Sequence, residues 1–212
     1  MLKVNSALAN METLETGSLL EQARGGDAEA FCELCRTLET RLLRQAMSLC
    51  GNASLAEDLA QETLIEGWKC IRRYNGRCQF FTWLCAILLN RHRNVLRKER
   101  SLPVLTLSTL EKNDFRSVAD PEPLPDKVVE RREQALLVHQ CIQALPQKHQ
   151  DVIYLRFYVD DSLEGIAAAL GCSLGTVKSR LFHALEKLRS MNVLKEQSRT
   201  AKRTLEPYET LF

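Results

Sequence analysis

Residues 175–189, GTVKSRLFHALEKLR, combine two chemistries in one short stretch. Val177, Leu181, Leu185 and Leu188 recur every three or four residues and share one face of a helix, while Lys178, Ser179, Arg180 and His183 fall largely on others. Four cations against Glu186 alone leave a local excess of three positive charges, in a chain whose formal net charge is only +2. Such clustering suits a polyanion. Gly175 and Thr176 are small enough for their amides to approach a phosphate at the helix N-terminus, and Lys178, Ser179 and Arg180 follow at once. A second cluster over 91–100 sets Arg91, Arg93, Arg97, Lys98 and Arg100 against Glu99. The alternative for either cluster is a solvated basic face.

Catalytic groups are sparse by comparison. His92, His139, His149 and His183 are expected on separate polar helix surfaces without a partner triad. Among eight cysteines, Cys32 and Cys35 form the one CxxC with the spacing of a zinc or redox pair. No second CxxC or His pair completes four ligands, and the spacing sets both thiols beside Phe31, Leu34 and Leu38, so packing is the expected role and metal or redox chemistry the alternative. No cofactor, metal or catalysis is expected. The chain has no apolar run long enough for a membrane, and MLKVNSALANMETLETGSLL lacks a signal peptide's apolar segment, which points to a cytoplasmic protein with free thiols.

Helices must position these groups. Helical periodicity runs over about 18–100, breaks over 101–126 and resumes to about 190 without a strand pattern, which predicts an all-α fold of two small domains. Residues 27–50 carry Phe31, Leu34, Leu38, Leu42, Ala46 and Leu49 at helical spacing, and Gly51-Asn52 is a stop. Ser54 with Glu57 predicts a capping box. The helix it opens buries Leu55, Leu59, Leu64, Trp68 and Ile71 and presents Asp58, Gln61 and Glu62 on its other face. The turn signal YNGRC at 74–78 precedes a helix apolar at its start and basic at its end, with Phe80 and Trp83 on the buried stripe of Leu84 and Ile87. Pro103, Pro121, Pro123 and Pro125, among acids, make 101–126 an extended, mobile linker. Further on, Ser162 caps a short helix ending at Gly171 and Ser173 caps the next, a helix-turn-helix pattern. The tail 191–212 is polar and suggests no role.

Three segments in this order resemble a bacterial RNA polymerase sigma factor of the extracytoplasmic-function type. AEDLAQETLIEGW is similar to that family's core-binding helix, YNGRCQFFTWLCAILLNRHRNVLRK to its melting and minus-ten segment, and LPQKHQDVIYLRFYVDDSLEGIAAALGCSLGTVKSRLFHALEKLR to its minus-thirty-five domain. The resemblance implies a domain at 18–100 for core binding and minus-ten recognition and melting, the linker 101–126, and a helix-turn-helix domain at 127–190. It implies that Asp58, Gln61 and Glu62 dock on the clamp coiled coil of the largest polymerase subunit. Tyr74, Asn75, Gly76, Arg77, Cys78 and Gln79 would form the loop that captures a flipped non-template base, with Asn90 lining that region and Arg91, Arg93, Arg97 and Lys98 supplying charge to the backbone. Thr176, Lys178, Ser179, Arg180, Phe182 and His183 would read the minus-thirty-five element. The implied partners are core RNA polymerase, double-stranded promoter DNA and the melted non-template strand, with an anti-sigma factor left open.

Two positions depart from the family pattern. Gly165 stands where Glu is common before Ile166-Ala167, at a helix-propensity cost of about 1 kcal/mol relative to Ala. His183 replaces a common Arg, making a contact there weaker and dependent on pH. The competing reading is a helix-turn-helix regulator with an N-terminal sensor domain, which needs neither the Asp58, Gln61 and Glu62 face nor the basic helix. An enzyme comes third.

Overall fold

The structure, a computed structural model, describes residues 16–101, 135 and 137–191. The expected linker from residue 102 on, the start of the second domain and the tail from 192 on lie outside these residues. Among the described residues there is no strand, in keeping with an all-α fold, and the chain divides into two compact units.

The N-terminal unit contains α1 (16–25), α2 (Ala28–Cys50), α3 (Ala53–Cys70), a 3-10 turn (Ile71–Arg73) and α4 (Phe80–Ser101). Asp27 caps α2, its carboxylate accepting from the amides of Glu29 and Ala30 at 2.9 and 3.1 Å. Gly51 ends that helix at φ 65°, a left-handed conformation that glycine adopts without penalty. The reversal leaves Asn52 extended, and its side-chain oxygen accepts from the Leu55 amide at 2.9 Å. Asn52 therefore caps α3, and the capping box expected of Ser54 and Glu57 does not form because Ser54 already lies inside the helix.

The stripe that α3 buries also differs from expectation. Leu59 and Ile71 are buried as anticipated, but Leu55, Leu64 and Trp68 are only half-buried. The closely packed positions are Ala56, Ala60, Thr63 and Gly67. The reason is that α3 packs against both α2 and α4, and only small residues let three helices approach that closely. At Gly67 a Cβ would come 2.9 Å from Leu84 Cδ2. Phe80 is buried as expected and Trp83 is half-buried. Both join an aromatic cluster with Phe31, Trp68 and Tyr74, with neighbouring ring centroids 5.3 to 6.3 Å apart.

The C-terminal unit contains α5 (137–143), α6 (Gln147–Phe157), α7 (Leu163–Ala169) and α8 (Leu174–Ser190). Leu145, Ile153 and Ala184 form a core on which Ile142, Leu181, Leu185, Leu188 and Met191 pack half-buried. Both serine caps form: Ser162 Oγ accepts from the Gly165 amide at 3.0 Å and Ser173 Oγ from the Thr176 amide at 3.1 Å. Gly171, at φ 61°, makes the turn between α7 and α8. Gly165 acquires a reason that helix propensity does not supply. The buried Asp161 carboxylate accepts from the Ser162 amide at 2.6 Å, and a Cβ on residue 165 would sit 2.6 Å from the same oxygen. Glycine is what lets that carboxylate pass.

Candidate functional site

On α3, Asp58, Gln61 and Glu62 are all exposed. Ile65, one turn further along the same face, is 56% exposed, an uncovered aliphatic side chain among polar neighbours. Sequence reading missed it, although its i+3 and i+4 spacing from Glu62 and Gln61 puts it in register with the polar positions rather than with Leu59. Next to it Glu66 accepts from Arg91 of α4 and lies 3.9 Å from Lys69. Arg91 thus ties α4 to α3, a role the expectation of a free backbone cation did not include.

The loop 74–79 separates scaffold from surface. Tyr74 is buried, with its hydroxyl donating to the Cys78 carbonyl at 2.5 Å and its ring 5.5 Å from Phe80 and 5.4 Å from Trp83. That bond pins the two ends of the turn together. Between them Asn75 Oδ1 accepts from the Arg77 amide at 3.1 Å and Gly76 adopts φ 72°. Asn75, Gly76, Arg77 and Gln79 are exposed and Cys78 is half-buried. On α4, exposed Asn90 accepts from Arg93 at 3.1 Å, and Arg97 and Lys98 are exposed beyond them. His92 is buried rather than on a polar surface, because it shares the inward register of Cys85, Leu88 and Leu89.

On α8, Val177 and Ala184 are buried, while Lys178, Ser179, Phe182 and His183 share the exposed face. Phe182 is 63% exposed, its ring 5.5 Å from the His183 imidazole. Thr176 is half-buried, paired with Ser173 through hydroxyls 2.8 Å apart. Arg180 is half-buried too, its guanidinium 3.9 Å from Cys172 Sγ, so it flanks the exposed face rather than centring it. His183 lies 3.6 Å from Glu186. His149 on α6 belongs to the same neighbourhood: burial lowers its pKa, and the charges of Lys187, His183 and Arg180 lower it further. The expectation of histidines on separate surfaces therefore fails for this pair.

All eight cysteines are free thiols. The CxxC does not face one way: Cys32 is exposed and Cys35 buried, its thiol pushed up to about 12 mainly by desolvation. Among the described residues no three His, Cys, Asp or Glu side chains are grouped to hold a metal ion, and no helix is long and apolar enough to cross a membrane.

Comparison with known proteins matches the two units separately. Residues 34–102 match Sigma-70 region 2 and residues 141–190 match Sigma-70 region 4. The RNA polymerase sigma-H factor of Pseudomonas aeruginosa is 32% identical over 172 residues, covering 79% of this chain and 89% of that protein. The ECF RNA polymerase sigma factor SigW of Bacillus subtilis is 28% identical over 173 residues, covering 80% and 92%. The ECF sigma-E factor of Escherichia coli K12 is 29% identical over 181 residues, covering 82% and 93%. In fold, CnrH in its complex with the cytosolic domain of CnrY is similar with a TM-score of 0.57 at 24% identity, covering 84% of this chain and 96% of that one. A sensor domain at the N-terminus is not favoured, because region 2 occupies that place. Both regions occur in one chain, in this order and across most of the length of these relatives, and the chain accordingly belongs to the extracytoplasmic-function group of RNA polymerase sigma factors, alternative subunits that direct the polymerase to promoters in transcription initiation.

Proposed function

We propose that the described surfaces divide this work in three. The α3 face of Asp58, Gln61, Glu62 and Ile65 docks on core polymerase, with Ile65 as the apolar anchor within a polar rim. The exposed loop residues Asn75, Gly76, Arg77 and Gln79, with Asn90, hold a base flipped from the non-template strand. Tyr74 and Cys78 pin that loop from beneath, and Arg93, Arg97 and Lys98 supply backbone charge while Arg91 braces α4 on α3. The α8 face enters the major groove of the minus-thirty-five element, where Lys178, Ser179 and Arg180 reach polar base edges and Phe182 reaches a thymine methyl. Thr176 and Ser173 fix the entering end of that helix. In this reading the protein contributes binding energy and positioning in the cytoplasm, and the phosphoryl chemistry belongs to the polymerase.

The observation that carries the reading is the pairing of an acidic, Ile-centred face on one unit with a basic, Phe-centred face on the other. Reconstitution with bacterial core polymerase and run-off transcription on genomic fragments tests it. Selective transcription from a subset of fragments is the expected result. No complex on gel filtration and no transcript from any fragment overturns it.

A further inference from the structure

The N-terminal unit holds a hollow that none of these roles uses. It encloses about 320 Å³ and is lined by Gly26, Trp68, Lys69, Ile71 and Arg72. This volume falls at the low end of the range of about 300–1,000 Å³ that small ligands occupy. Among the described residues its lining has one chemical character: an indole, two cations and no carboxylate. Arg72 is directed into it, since a Cβ built on Gly26 would come 3.5 Å from Arg72 Nη2. Neither the Arg72 guanidinium nor the Trp68 indole N–H has a hydrogen-bond partner among the described residues, while Lys69 has only a 3.9 Å approach to Glu66. Free donors beside a half-exposed aromatic ring suit a planar group that carries an anion.

Position narrows the choice of occupant. Ile71 and Arg72 belong to the 3-10 turn that leads directly into the 74–79 loop, the Tyr74 amide donating to the Ile71 carbonyl at 3.0 Å. Trp68 packs tilted against Phe31, which touches Phe80, which touches Tyr74, so the hollow and the loop rest on one aromatic cluster. Ile71 and Arg72 of the hollow thus lie within three residues of Tyr74, where the loop begins. We propose that this hollow is a second nucleotide site, which takes a further unpaired non-template nucleotide by stacking on Trp68 and pairing its phosphate with Arg72 and Lys69. The proposal rests on the minus-ten reading of the loop and extends it.

The test uses holoenzyme and a single-stranded non-template oligonucleotide spanning the melted region. Trp68→Ala would remove a core contact with Phe31, so Arg72→Ala and Lys69→Ala carry the measurement. Each is expected to weaken single-strand binding about tenfold and to leave core affinity unchanged, with Arg72→Lys recovering part of the loss. A photo-crosslinking residue at position 69 is expected to label the oligonucleotide, at a nucleotide adjacent to those labelled from position 77. Labelling of DNA from 77 but not from 69, or labelling of a polymerase subunit from 69 with core affinity lost in Arg72→Ala, overturns the proposal. The second result assigns the hollow to an acidic protein segment. DNA labelled from neither position overturns the minus-ten reading itself.

Discussion

Helices α3 and α8 solve the same problem from opposite surroundings. Each exposes a strip at i, i+3, i+4 and i+7 spacing with one large apolar side chain in it, Ile65 or Phe182. Yet α3 is held between α2 and α4 and buries five positions, Ala56, Leu59, Ala60, Thr63 and Gly67, whereas α8, among the described residues, packs chiefly on α6 and buries only Val177 and Ala184 fully. A helix gripped on two sides keeps a narrow strip in a fixed place, which suits interdigitation with a protein. One gripped on a single side leaves most of its circumference free, as entry into a groove about 12 Å wide requires. The charges differ as the proposed partners would require: Asp58 and Glu62 on the first, Lys178 and Arg180 on the second.

The most severe test of this contrast is the core beneath each strip. Leu59→Ala should cost about 2–5 kcal/mol in urea unfolding of the N-terminal unit, because the packed walls around it cannot collapse. Leu185→Ala, at a half-buried site on α8, should cost about 1–2 kcal/mol. Equal costs would erase the distinction between the two-sided and one-sided helix.

At the strips themselves, Ile65→Asp should lower core-polymerase affinity by more than about 2 kcal/mol, roughly 30-fold, with helical circular dichroism unchanged. Asp58→Ala should cost less, as a rim residue does. On α8, Lys178→Ala and Phe182→Ala should each remove about 1–3 kcal/mol of preference for the cognate minus-thirty-five sequence in promoter competition. Arg97→Ala should instead weaken all sequences alike and lower the salt slope by about one. Uniform losses from Lys178→Ala and Phe182→Ala would make α8 a merely electrostatic surface.

A smaller effect sharpens the account of the C-terminal unit. Gly165→Ala gains about 1 kcal/mol of helix propensity but drives a methyl into the Asp161 carboxylate, so a net loss of about 1–2 kcal/mol in thermal unfolding is expected. Adding Asp161→Ala to that variant should recover part of it, a coupling that independent sites would not show.

Alkaline pH should affect the N-terminal unit through two buried thiols. Desolvation pushes Cys35 and Cys85 up to about 12, from 9.0 when unfolded. The folded state then holds protons that the unfolded state releases, so the thiol contribution is intact below about pH 9 and is lost as pH rises toward 12. Urea midpoints at pH 8 and pH 10.5 check this, and a variant with both cysteines replaced by alanine should show a shallower decline.

Much of this was legible without coordinates, because it is local. The Gly51-Asn52 stop, the Ser162 and Ser173 caps and the helix-turn-helix spacing involve residues within a few positions of one another, and the structure contains each. The exposure of Asp58, Gln61, Glu62, Lys178 and Ser179 followed in the same way from the 3.6-residue repeat. The cap at α3 went wrong within that local range, since Asn52 and Ser54 compete for one helix start and only the chain path out of Gly51 selects between them.

What tertiary structure alone decided is how many sides of each helix are covered. Apolar periodicity weights Leu55, Leu64 and Trp68 above alanine, threonine and glycine, yet a helix squeezed between two others selects the small residues for its contacts and leaves large ones at the margin. The same step makes Tyr74, expected only as part of the base-capturing loop, a pin beneath it, Arg91 a brace on Glu66 and His92 core, since each depends on a partner that folding brings alongside or on a neighbouring helix. Sequence determined the helices, most of their capped ends and which charges each one carries. Folding determined which side chains remained free to touch anything else, because burial is a property of neighbours and not of the residue.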